Sequence, residues 1–214
     1  MADDFYWGVF IRLYPHQLPN WSGSGGLWAE CPDIINGTAP LDTDTLLKNY
    51  PNPPTAVPPP TPFLLNQPNY VYVTAENCKD EVINARVWMF WAVQSTCLYP
   101  STWQSAGITV DGHAINYQPL SLQAAPEWTD HSKKPKMGPP AVTTTPFVVT
   151  PTGSAQDSYS LITIVENEPS NPPKAPLPPT FNSVSDLASW VSDNGNVGWL
   201  NMSLSDGGLT RQVD

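Results

Sequence analysis

The side chains able to do chemistry are few and scattered. The chain has three histidines, His16, His113 and His131, and three cysteines, Cys31, Cys78 and Cys97. Zinc sites draw ligands in closely spaced pairs, because two ligands from one turn fix the metal before the others close on it. Neither a His-x3-His nor a Cys-x2-Cys spacing occurs here. Asp111-Gly-His113 with Glu127, Asp130 and His131 would need several loops to converge before it could hold a metal, and turn and loop roles explain these residues more simply. Asp42 and Asp44 form an Asp-x-Asp fragment without the remaining ligands of a calcium loop. Asp42 is better placed to cap a helical turn at residues 45–49. Cys97 with a distant histidine would be a nucleophile without a supporting motif, since no nucleophile elbow, phosphate loop or dinucleotide fingerprint is present. The reading is therefore of a non-enzyme with no catalytic residue, no metal and no cofactor. The cysteines are expected as three small buried thiols, with one Cys78–Cys97 bridge between neighbouring strands as the alternative.

Aromatic side chains are the other candidates, for recognition rather than catalysis. Of nine tryptophans, Trp21 and Trp28 flank the Gly/Ser stretch at residues 22–26 and Trp128 sits in a polar loop. Exposed there, they would stack on sugar rings or fill a partner's pocket. Trp103 joins them as a fourth binding candidate. For each, ordinary packing is the competing reading.

The elements that must position these residues are strands. Twenty-six prolines in 214 residues, about 12% against the usual ~5%, exclude a helical bundle and mark long excursions at residues 51–62 and 171–179. The first of these has the composition of a polyproline II surface segment, or more sharply of a motif for proline-binding domains. Residues 69–77 alternate Val71, Val73 and Ala75 with Tyr70, Tyr72, Thr74 and Glu76, the period of a half-buried strand. Residues 85–94 are bulky on both faces, so that strand should be central and covered on both sides. Further strands are expected at residues 5–14, 108–110, 147–150, 159–166 and 197–204, with 108–110 ended by Asp111-Gly112. Residues 118–140 read as a polar loop, with Lys133, Lys134 and Lys136 exposed on it. One helix is expected: Ser183 caps it, Val184, Leu187, Ala188 and Val191 share a face, and a left-handed Gly195 stops it.

Charge and hydropathy narrow the partners. Nine Lys and Arg against nineteen Asp and Glu give a net charge of -10, which repels phosphates and argues against nucleic acid. No apolar run approaches the ~18 residues of a membrane span. The start Met1-Ala2-Asp3-Asp4 lacks the basic region of a Sec signal peptide, so the expectation is a cytoplasmic protein or one exported by a non-Sec route. Three N-glycosylation patterns, at Asn20, Asn36 and Asn201, are no more than chance supplies in a chain of this composition.

The order Cys31-Pro-Asp-Ile34, Asn69 to Val73, Val87 to Ala92, Ser95 to Trp103, Pro146 to Pro151 and Asn194 to Asn201 resembles an immunoglobulin-like β-sandwich module of bacterial exported and surface proteins. The resemblance covers roughly residues 31–205. It is interrupted by the first proline excursion and by a polar insertion at 118–140, and Gly195 and Leu200 stand where other residues are commoner. It implies core positions for Trp91, Trp103 and Trp199, and no shared active site. A shorter stretch, Leu41 to Pro53, is similar to a signature of the inclusion-body protein family (PixA and AidA types), small cytoplasmic bacterial proteins of which some form crystalline bodies.

Together these readings give an all-β, immunoglobulin-like β-sandwich with one short helix and long proline-rich loops. An aromatic N-terminal extension spans 1–30, the sandwich 31–205 and a tail 206–214. The expected function is a non-catalytic binding or structural module for protein assembly or surface attachment. The alternatives are a self-assembling inclusion-body or virulence-associated protein and a glycan-binding, lectin-like module. The expected partner is another protein or a second copy.

Overall fold

The computed structural model describes residues 8–13, 17, 29–50, 62–127, 136–154 and 158–205. Its strands form two packed sheets, the all-β sandwich that the alternation patterns call for. In the first, β4 (Asn69–Asn77) is the spine. One edge of β4 carries β2 (Ile34–Gly37) and, further along, β1 (Val9–Phe10). Its other edge carries β8 (Ala141–Val142) and β9 (Phe147–Val149), and β6 (Ile108–Val110) pairs with β9. The second sheet has the order β11 (Val197–Met202), β10 (Tyr159–Glu166), β5 (Ile83–Val93), β7 (Tyr117–Leu122), with every pairing antiparallel. A short parallel pair, β3 (Phe63–Leu64) with β12 (Leu204–Ser205), lies beside them.

Val71, Val73, Phe147 and Ile108 from the first sheet meet Val87, Met89, Trp91, Leu161 and Leu122 from the second in one buried core. Each fully buried Val, Leu or Phe of this kind contributes about 1.5–3 kcal/mol. The opposite face of β5 carries Trp88, Phe90 and Ala92 into a second core, so this strand is central and covered on both sides as its sequence predicts. The cover is α2 (Val184–Asp193) with Leu187 and Val191, together with Phe181 and Trp103, and Trp199 of β11 lies on the covered face. Ser183 caps α2 by accepting a hydrogen bond from the Asp186 amide at 3.1 Å.

Four expectations are corrected. β4 is not half-buried: Tyr72, Thr74 and Glu76 are buried as well as Val71, Val73 and Ala75, because a second layer covers their face. The helical turn expected after Asp42 is a helix, α1 (Thr43–Asn49), with Tyr50 buried at its end, so the described residues hold two α-helices rather than one. The polar span from 118 contains a strand, β7, whose alternating burial places Gln118, Leu120 and Leu122 inward; Pro119 is exposed there, at the sheet edge where a missing N–H costs no ladder bond. Finally, Gly195 is not left-handed. Positive φ occurs instead at Gly8, Gly107, Gly112 and Gly153 and at Asn66 and Asp111, while at the end of α2 the Asn194 side chain donates to the Trp190 carbonyl at 2.7 Å.

Two segments cross from one sheet to the other side by side. After β1 pairs with β4, the Ile11 amide donates to the Gly195 carbonyl at 2.6 Å, at the turn into β11. Residues 29–31 bond to β11 through Asn201 N–H to the Ala29 carbonyl and Cys31 N–H to the Trp199 carbonyl, and the chain then enters β2 on the first sheet. Gly198 lets both close in: a Cβ there would stand 3.0 Å from Cys31 Sγ and 3.3 Å from Ile11 Cγ2. Residues 8–13, expected as part of an extension, thus pack within their own chain, with Val9 and Ile11 in the first core and Leu13 in the second.

Candidate functional site

Where the two crossing segments meet, the fold brings together a group of chemically capable side chains: Arg12, Cys31, Asp33, Tyr50, Thr74, Glu76 and Cys78. Asp33 is fully buried and Arg12 nearly so. The Arg12 guanidinium donates to Asp33 Oδ1 at 2.5 Å through Nη2 and to both carboxylate oxygens through Nε, at 3.1 and 3.2 Å. The Arg12 backbone amide adds a bond to Oδ2 at 2.7 Å, and the Thr74 hydroxyl donates to Oδ1 at 2.8 Å. Such a pair survives burial because nearly every lone pair and donor is matched; unmatched, each ion would cost several kcal/mol. Burial opposes the charge on Arg12, but the hydrogen bond and charge of Asp33 outweigh it, so its pKa is raised.

Tyr50, at the end of α1, lies with its ring 3.8 Å beneath the Arg12 guanidinium, a cation–π contact away from water. Its hydroxyl and Oε2 of Glu76 are both buried without a hydrogen bond among the described residues. Two carboxyls, Asp33 and Glu76, therefore share one guanidinium already committed to Asp33. Burial first, and the Asp33 charge second, push the Glu76 carboxyl up to about 7, against the pull of the Arg12 charge. Burial and the neighbouring carboxylates likewise raise the Tyr50 hydroxyl.

The cysteines are inert by the same physics. All three are free and buried. Cys31 hydrogen-bonds the Arg12 carbonyl through Sγ at 3.1 Å, and burial raises its thiol pKa. Burial, with the Glu76 charge, pushes Cys78 up to about 12, and burial also raises Cys97. A thiol held in this way is not the thiolate that nucleophilic chemistry requires. The Cys78–Cys97 bridge is not formed.

Of the four aromatic binding candidates, Trp103 is in the second core. Its indole N–H donates to the Cys97 carbonyl at 3.0 Å, and its ring packs edge-on to Trp199 and against Phe90 and Trp190. That is a packing role and not an exposed stacking platform. Trp21, Trp28 and Trp128 lie outside the described residues, as do His16, Asp130 and His131. Asp111 and Gly112, both at positive φ, form the two-residue turn of a tight hairpin in which Val110 and His113 exchange backbone hydrogen bonds, and His113 is exposed on it. Glu127 is exposed. Asp42 caps α1, accepting from the Thr45 amide at 3.1 Å. Among the described residues no group of three or more His, Cys, Asp or Glu is arranged to hold a metal ion, and no helix is long and apolar enough to cross a membrane.

The sequence reading passed over Arg12, Asp33, Tyr50 and Glu76. Two signals were available. Arg12 interrupts an apolar run from Phe5 to Tyr14, and a charge there needs a partner if the run is buried. Glu76 lies on the face of β4 that also carries Tyr70 and Tyr72, which is too aromatic for a solvent face.

The fold and the site thus define an all-β sandwich locked by a sealed charge cluster. Compared with models of known protein families and with curated proteins, the chain matches none.

Proposed function

We propose that the chain is a non-catalytic binding or structural module on an immunoglobulin-like β-sandwich, serving protein assembly or surface attachment. The observation that carries this reading is the use made of Arg12, Asp33 and the cysteines. All are buried, and Arg12 and Asp33 are matched to each other, whereas an enzyme aims such groups into a cleft that admits substrate. The immunoglobulin-like part is supported by two antiparallel sheets, by segments that cross between them, and by tryptophans packed on a central strand.

Docking would use the apolar side chains left in water beside the second core. Tyr99, Leu177 and Val184 are 49%, 41% and 56% exposed, and they flank Leu98, Phe181 and α2, which close that core. Large apolar side chains left exposed on the segments that close one core are the surface positions best suited to a protein contact. Sedimentation velocity of the full chain beside a Tyr99→Ser, Leu177→Ser, Val184→Ser variant tests the assembly reading. Concentration-dependent association that the variant loses supports it. A wild-type monomer at every concentration, with no binding on a glycan array, would remove both the assembly and the lectin-like readings.

A further inference from the structure

We propose that Arg12, Asp33, Tyr50 and Glu76 form a pH-sensitive latch: while the Glu76 carboxyl is neutral it holds residues 8–13 and the end of α1 against β4, and ionisation of Glu76 loosens that hold. The geometry makes the latch. Glu76 is 5% exposed and its Oε2 has no hydrogen bond among the described residues. Arg12 directs its Nε and Nη2 donors to Asp33. A second carboxylate in that space would be desolvated and beside a like charge, with the Arg12 charge offsetting only part of that cost, so the folded state favours its neutral form.

The groups that act on Glu76 come from each element around it: Arg12 from the N-terminal segment, Asp33 from the segment entering β2, and Tyr50 from the end of α1. Cys78, two residues along β4, feels the Glu76 charge in turn. What the latch holds is local. Phe10 is the register partner of Glu76 and Val9 of Asn77, so a charge forced on Glu76 acts on the two residues that attach the N-terminal segment to the first sheet. Opening would uncover that edge of β4 while leaving the β5–β10–β11 ladders paired. The midpoint of the Glu76 carboxyl at about 7 places the change in the physiological range.

Native-state hydrogen exchange on the full chain tests this, read as protection factors so that the intrinsic pH dependence of exchange cancels. Between about pH 5.5 and about pH 8.5, protection of the Ile11 and Arg12 amides should fall at least about tenfold, because each unit of pKa displacement is a factor of ten in the opening equilibrium. Amides in the β10 ladder should hold constant within about twofold. Glu76→Gln, which keeps the shape and removes the charge, should abolish the difference. Equal protection at both pH values, or an undiminished difference in the variant, would overturn the latch. Should the variant fail to fold, carbon-13 NMR of the wild-type carboxyls decides: a Glu76 midpoint near its ordinary 4.5 overturns the proposal, and one near 7 supports it.

Discussion

The Asp33 carboxylate receives both the backbone amide of Arg12, at 2.7 Å, and its guanidinium, at 2.5 Å. One residue is thereby fixed in position and in charge by the same partner. Asp33 lies where the chain leaves β11 for β2 and Arg12 where it leaves β1 for the turn before β11, so the pair ties together two segments that each bridge the sheets. The first apolar core holds the two sheets together, and this contact holds the side of the sandwich where both segments cross.

Removing either partner alone should be costly. Asp33→Ala or Arg12→Ala leaves a buried ion without compensation, which costs about 3–5 kcal/mol. The double replacement should cost well below the sum, because no unpaired charge remains. Urea unfolding of the three variants, read from midpoints at constant slope, checks both statements.

Stability should also depend on pH in an unusual direction. The Glu76 carboxyl lies at about 7 when folded against an ordinary 4.5, so between those values the folded chain holds a proton that the unfolded chain has released. Stability from this group is fully present below about 4.5, falls as pH rises through that window, and is lost above about 7, by an amount on the order of 3 kcal/mol. Carboxylates that are paired or hydrogen-bonded in the folded state behave in the opposite sense. The difference between wild type and Glu76→Gln across the window isolates the contribution, and a difference that is flat in pH would refute it.

How much of this was legible beforehand depends on what local pattern can carry. The limits of β4, β6 and β10 follow from alternation and from turn residues such as Asp111-Gly112, and the start of α2 follows from Ser183. β7 was missed because Pro119 and its polar neighbours read as a loop; an edge strand tolerates both, and only the partner strand β5 reveals the pairing. The burial of Glu76 was missed because a strand's alternation states which residues share a face and not what covers it. The cluster joins residues 12, 33, 50 and 76, and no spacing rule links positions brought together by two crossings between sheets. Trp103 was legible as core through the resemblance, while its candidacy for binding rested on residue type alone.

Trp103 should therefore behave as a packing residue. Trp103→Ala opens the second core between Phe90, Trp190 and Trp199 and should cost about 3–5 kcal/mol, with a correspondingly lower thermal midpoint. Unchanged stability would mean that the ring is not packed there.

The thiols should be silent in the native state. At about pH 8 a soluble disulfide reagent should leave Cys31 and Cys78 unmodified for as long as the chain is folded, since burial raises both pKa values and an unexposed thiol has no access to reagent. In denaturant all three cysteines should react. Rapid native labelling of Cys31 would show that the crossing segments are open.

The most direct test removes the first crossing segment. A chain beginning at residue 14 lacks Val9, Ile11 and Leu13 from the two cores and Arg12 from the ion pair, and its urea midpoint can be compared with that of the full chain. The expected result is a loss of at least about 3 kcal/mol, the cost of stranding Asp33 alone, extending to failure to fold. An unchanged midpoint with an unchanged slope would contradict the structure's central feature, because it would mean that the sandwich is complete without the segment that the buried charge cluster holds.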